Sequence, residues 1–79
     1  MEQKKFLIKV NSSTVSHIAF YNGVMYARFS TGTIYAYSVS KEEYDSIFES
    51  DSVGSKLKEV VKGKAYRKLT KEELNLFEY

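Results

Sequence analysis

The sequence predicts an α+β domain, an antiparallel β-meander of three to four strands followed by two to three helices packed on one face. Three observations carry that expectation. Apolar residues alternate with period two through the first half of the chain, the spacing that sends every second side chain to one face of a strand. The second half changes to i, i+3, i+4 spacing behind serine and threonine caps. Strands come first and helices after, an order that segregates into a sheet layer and a helix layer. A length of 79 residues implies one domain spanning 1–79. A chain this short buries roughly 60% of the surface it exposes when unfolded, so each large side chain counts.

The first strand is "FLIKV", which sets Phe6, Ile8 and Val10 on one side. Val15 to Tyr21 is the second. Asn22-Gly23 follows, the strongest short hairpin signal, because a type I′ turn needs positive φ at both central positions. Val24 to Ser30 is the third strand, and Thr33 to Val39 the fourth, joined by Thr31-Gly32. If both loops hold two residues, the register follows. Tyr21 pairs with Val24, Ala19 with Tyr26 and His17 with Arg28. Across the second loop Ser30 pairs with Thr33, Phe29 with Ile34, Arg28 with Tyr35 and Tyr26 with Tyr37. Paired residues share a face. One face then carries Ile18, Phe20, Met25, Ala27, Phe29, Ile34 and Ala36. The other carries His17, Ala19, Tyr21, Val24, Tyr26, Arg28, Tyr35 and Tyr37. The first face, with its two phenylalanines, is the better seat for helices.

Ser40 with Glu43 is a capping box, and Tyr44, Ile47 and Phe48 form the stripe of the helix behind it. Asp51 or Ser52 caps a second helix with the stripe Val53, Leu57, Val60 and Val61, and Gly63 stands where a C-terminal glycine belongs. "AYRKL" is a connector or a short strand. Thr70 with Glu73 is a second capping box, opening a terminal helix whose Leu74 and Phe77 dock on the core and whose end is expected to fray.

Composition narrows the function classes. Without cysteine there is no disulfide and no thiolate metal site. No apolar run approaches the roughly 20 residues that span a bilayer, and the start lacks the apolar core and cleavage site of a signal peptide. A soluble cytoplasmic protein is expected. A single histidine, His17, makes no usual zinc site. Ser12, Ser13, Thr14 and Ser16 lie near it, but no orienting acid is predicted there for nucleophilic catalysis. "SVGSK" lacks the first glycine and preceding strand of a phosphate loop. No enzyme, cofactor or metal is expected. The formal net charge of +2 does not by itself argue for nucleic acid. Its distribution is uneven, since Lys56 to Lys71 is basic with Glu59 its one acid. That run is either a solvated helix face or a polyanion-binding patch.

Seven tyrosines and five phenylalanines, with no tryptophan, set the chain apart. Tyrosine joins apolar area to a hydroxyl that wants a partner, and so suits cores, interfaces and stacking surfaces. The tyrosine face is open to all three readings. It is core, covered by the first strand or the last helix; or a protein-interaction or homodimer surface; or a sheet on which single-stranded nucleic acid stacks.

The alternating strands, the "YAY" of Tyr35-Ala36-Tyr37, "VSKEEY", "SVGSKL" and "VKGKAYRKL" together resemble the KTSC domain, a small bacterial and phage family named after a C-terminal extension of some lysyl-tRNA synthetases. The ordered series Phe29, Gly32, Tyr35, Tyr37, Val39, Tyr44, Ser52, Gly54, Lys62 and Tyr66 carries the resemblance, which covers about residues 10–69. Ser40 stands where the family usually has proline and still caps the helix. The segments Met1 to Lys9 and Thr70 to Tyr79 lie outside the match and would cover or extend the sheet. A stand-alone member is implied, and attachment to a tRNA enzyme implies RNA as partner. On that expectation Tyr35 and Tyr37 stack bases, Tyr26 extends the platform, and Arg28, Lys56, Lys62, Lys64, Arg67 and Lys68 hold phosphates. The alternative is an interaction module, such as a phage-encoded protein that binds a host protein.

Overall fold

The computed structural model describes residues 5–78. Of the expected covering segments, Met1 to Lys4 and Tyr79 lie outside the described residues. The elements are β1 (Lys5–Phe6), β2 (Ile8–Lys9), β3 (Val15–Tyr21), β4 (Val24–Phe29), β5 (Ile34–Ser38), α1 (Lys41–Phe48), α2 (Val53–Val61), β6 (Tyr66–Lys68), α3 (Lys71–Leu74) and β7 (Phe77–Glu78). Strands β2 to β6 form an antiparallel sheet in the order β2-β3-β4-β5-β6, and β1 pairs in parallel with β7. The α+β class is as expected, and "AYRKL" supplies the strand β6.

The first hairpin has the expected register, with Tyr21 opposite Val24 and His17 opposite Arg28. Asn22 and Gly23 sit at φ 49 and 79, as a type I′ turn demands. Ser16 is an extra residue in β3, because Val15 faces Phe29 while His17 faces Arg28.

The second hairpin departs from expectation. Its loop holds three residues, with the Phe29 N–H donating to the Thr33 carbonyl (2.8 Å) and the Gly32 N–H to the Phe29 carbonyl (2.8 Å). Gly32 sits at φ 95, and among the described residues Asn22 is the one non-glycine at positive φ. Thr31 is β-branched and does not take the left-handed conformation that a two-residue type I′ loop requires of it. The chain therefore spends one more residue and uses the left-handed region once, at Gly32. Arg28 now faces Ile34, Ala27 faces Tyr35, Tyr26 faces Ala36 and Met25 faces Tyr37. A one-residue slip moves every side chain of β5 to the opposite face. The expected grouping of Tyr26, Arg28 and His17 with Tyr35 and Tyr37 is thus corrected: Tyr35 and Tyr37 lie on the helix-bearing face, and Ile34 and Ala36 on the other.

Both faces are covered. On one, Val15, Ile18, Met25, Ala27 and Tyr37 pack with Val39, Tyr44, Ile47, Val53 and Leu57 from the α1–α2 layer. On the other, Ala19 and Ile34 pack with Leu7, Leu69 and Phe77, flanked by Tyr21, Tyr26 and Leu74. In the first segment Leu7 is the buried residue, while Phe6 and Ile8 are exposed. The Tyr21 hydroxyl pins that segment, donating to the Phe6 carbonyl (2.9 Å) and accepting from the Phe6 N–H (3.0 Å). The expected terminal helix is one turn long. The chain then extends as β7, which buries Phe77 and pairs with β1.

Both capping boxes form. Ser40 Oγ accepts from the Glu43 N–H (3.1 Å) and Glu43 Oε1 from the Ser40 N–H (2.9 Å). Thr70 and Glu73 repeat the exchange at 3.3 and 3.0 Å. Ser52 caps α2 by position, without a side-chain hydrogen bond.

Candidate functional site

The register slip builds an aromatic cluster at one edge of the sheet. β6 lies against β5 with Tyr66 opposite Tyr37 and Lys68 opposite Tyr35. Opposed residues share a face, so Tyr35, Tyr37, Tyr66 and Lys68 all lie on the helix-bearing face. The ring centroids of Tyr35, Tyr37 and Tyr66 form a near-equilateral triangle with sides of 6.0, 6.1 and 6.3 Å. Phe29 meets Tyr35 edge-on at 5.5 Å. Burial across the triangle is graded. Tyr37 is 8% exposed, Tyr35 is half-buried and Tyr66 is 66% exposed. Burial, with the neighbouring Tyr35 and Tyr66 hydroxyls, pushes the Tyr37 phenol above its ordinary pKa. Tyr37 is therefore a core residue that props the other two rings.

Beside the cluster is an open groove of about 570 Å³, lined by Tyr35, Tyr37, Tyr66 and the segment Val61-Lys62-Gly63-Lys64. That segment is a tight turn. Lys62 takes φ −59 and ψ 122, Gly63 takes φ 80, and the Lys64 N–H donates to the Val61 carbonyl at 2.9 Å, the pattern of a type II turn. It ends α2 and feeds the chain into β6, which places Lys62 and Lys64 on the groove wall facing the tyrosines.

Two glutamates hold the arm that carries Tyr66. Glu43, the capping residue of α1, pairs through Oε2 with Lys64 Nζ at 2.7 Å. Glu73, the capping residue of α3, pairs through Oε1 with Arg67 Nη1 at 2.7 Å. Each carboxylate thus caps a helix and grips a cation on the opposite side of Tyr66. The hydrogen bond from Lys64, and then the Ser40 backbone, hold the Glu43 carboxyl below its ordinary value. The bond from Arg67, and then the Thr70 backbone, lower Glu73 to about 2.

The remaining sequence candidates fall elsewhere. Tyr26 is half-buried on the opposite face, its ring 4.8 Å from Phe77 and 6.3 Å from Tyr21. Arg67 faces the same way, opposite Ala36. Lys56 lies nearer the start of α2 and does not line the groove. Arg28 lies beside Ser16, with its Nη1 donating to Ser16 Oγ at 2.9 Å. The Ser16 hydroxyl donates to the Arg28 carbonyl (3.1 Å), and His17 Nδ1 lies 2.8 Å from Ser16 Oγ. The trio braces the bulge. Burial, followed by the charges of Arg28 and Lys9, lowers the His17 pKa and favours the neutral ring.

Tyr66 is the site residue that the sequence reading left out. Its signal was present: a Tyr-Arg-Lys triplet that alternates as a short strand would, following a glycine turn. Among the described residues no group of three His, Cys, Asp or Glu side chains is placed to hold a metal ion, and no helix is long and apolar enough to cross a membrane. Compared with models of known protein families and with the sequences of curated proteins, the chain matches none.

Proposed function

We propose that this is a non-catalytic binding domain that holds single-stranded RNA on the Tyr35–Tyr66 edge of its sheet. One observation carries the reading: Tyr66 stands 66% exposed on an edge strand, at the lip of a groove walled by Lys62 and Lys64. The ring does not stand alone: it closes a triangle with Tyr35 and Tyr37, and all three line that groove. A base stacked on such a ring contributes about 1–3 kcal/mol, and adjacent cations contact the phosphates. Tyr35 supports the stack, Lys62 and Lys68 supply charge, and Lys64 is oriented by Glu43. The resemblance to the KTSC domain favours the same partner by context.

The test is an amide-resolved NMR titration with mixed-sequence single-stranded RNA at low and moderate salt, on wild type and Tyr66→Ala. The expected result is shifts at Tyr35, Lys62, Gly63 and Tyr66 that survive moderate salt, with binding weakened about tenfold or more in the variant. Shifts confined to lysines and abolished by salt would reduce the interaction to nonspecific charge. No shifts at all would overturn the reading in favour of a protein partner or self-association through the same edge.

A further inference from the structure

Tyr66 borders two grooves. Besides the 570 Å³ groove on the helix-bearing face, a second of about 250 Å³ is lined by Val24, Tyr26, Ala36, Ala65 and Arg67, together with Tyr37 and Tyr66. Val24, Tyr26, Ala36 and Arg67 belong to the opposite face, as their pairings require. The two grooves therefore meet at the N-terminal end of the edge strand β6, where Tyr37 and Tyr66 line both. Each also has one cation paired with a helix-capping glutamate: Lys64 with Glu43 in the first, Arg67 with Glu73 in the second.

We infer that the bound strand passes from one face of the sheet to the other around Tyr66, using both grooves as one continuous path. This rests on the nucleic-acid reading above and gives it a length requirement. A dinucleotide occupies the first groove only. A longer strand reaches the second groove as well, and the second contact is made at high effective concentration because the first already tethers the strand. Arg67 and Tyr26, on the face away from the first groove, become part of the site. The capping carboxylates compete with phosphate for the two cations. Glutamine retains the capping-box acceptor without the charge, so Glu73→Gln releases Arg67 while leaving α3 capped.

The experiment compares a uridine dinucleotide with a uridine octanucleotide by NMR titration. The dinucleotide is expected to shift Tyr35, Lys62, Gly63 and Tyr66. The octanucleotide is expected to add Tyr26, Ala36 and Arg67 and to bind at least tenfold more tightly. Arg67→Ala should lower the ratio of octanucleotide to dinucleotide affinity severalfold, whereas Glu73→Gln should raise that ratio. An octanucleotide that shifts only the first set, with Arg67→Ala silent, overturns the continuous path while the single-groove reading stands. If neither oligonucleotide shifts the wild-type protein, the nucleic-acid reading fails and the path fails with it.

Discussion

The two β-hairpins look alike in sequence, each a pair of alternating strands around a turn that ends in glycine, yet they close differently. At Asn22-Gly23 both residues enter positive φ and the loop holds two residues. At Thr31-Gly32 only the glycine does, and the loop takes Ser30 as well. One residue of loop length decides which face Tyr35 and Tyr37 occupy, and hence whether there is a tyrosine groove beside α2 at all. Hairpin register is set by how many loop positions tolerate the left-handed region, more than by the presence of a glycine.

The largest test of that difference is Tyr37→Ala. In the observed register Tyr37 sits opposite Met25 in the main core, and truncating a buried aromatic there is expected to cost about 3–5 kcal/mol. Urea unfolding measures it. A loss below about 1 kcal/mol would mean the ring is not core. Gly32→Val comes next. A β-branched residue at φ 95 should cost at least about 1–2 kcal/mol, visible as a fall of several degrees in Tm, while Thr31→Val, away from positive φ, should be nearly neutral.

Acid provides a third, smaller test, on the arm that completes the site. Glu43 and Glu73 both have lowered folded-state pKa values, so their contribution is present above their ordinary value of 4.5 and is lost as pH falls through the folded value. For Glu73 that window runs from 4.5 down to about 2. Side-chain carboxyl shifts followed by NMR should show Glu73 titrating near the bottom of the window, with Tyr66 resonances moving alongside. Arg67→Ala should return Glu73 most of the way toward its ordinary value.

The smallest effect expected is from Thr31→Asn, which creates a second Asn-Gly. Slipping β5 back would carry Ile34, Tyr35, Ala36 and Tyr37 all to the opposite faces, and both faces are packed. Stability should change by less than about 0.5 kcal/mol, and the backbone contact between Met25 and Tyr37 should persist in NOE spectra. If the contact passes to Tyr26 and Tyr37, turn chemistry alone governs the register.

Much of the fold was legible from local chemistry. Period-two alternation located β3, β4 and β5, Asn22-Gly23 set the first register, and the pairs Ser40–Glu43 and Thr70–Glu73 marked two helix starts. The site was less legible. The sequence pointed to Tyr35, Tyr37, Lys62, Lys64 and Lys68, which do gather at one edge, but it placed Tyr26 and Arg28 on the same face as the two tyrosines, and the slip separates them. It named Tyr66 only in the series that carries the resemblance and gave it no role in the site, because a three-residue strand carries too little periodicity to be placed without its partner.

What the sequence alone determined is what depends on neighbouring residues: where the chain alternates, caps, turns and stops. Only the tertiary structure decided which face each tyrosine occupies, that β7 replaces a longer helix by pairing with β1, and that each capping glutamate also grips a cation from the arm bearing Tyr66. These are choices between local conformations of similar energy. They are settled by burial on both faces of the sheet and by ion pairs that form only once the arm is in place, Glu43–Lys64 across the chain and Arg67–Glu73 around the turn into the last helix.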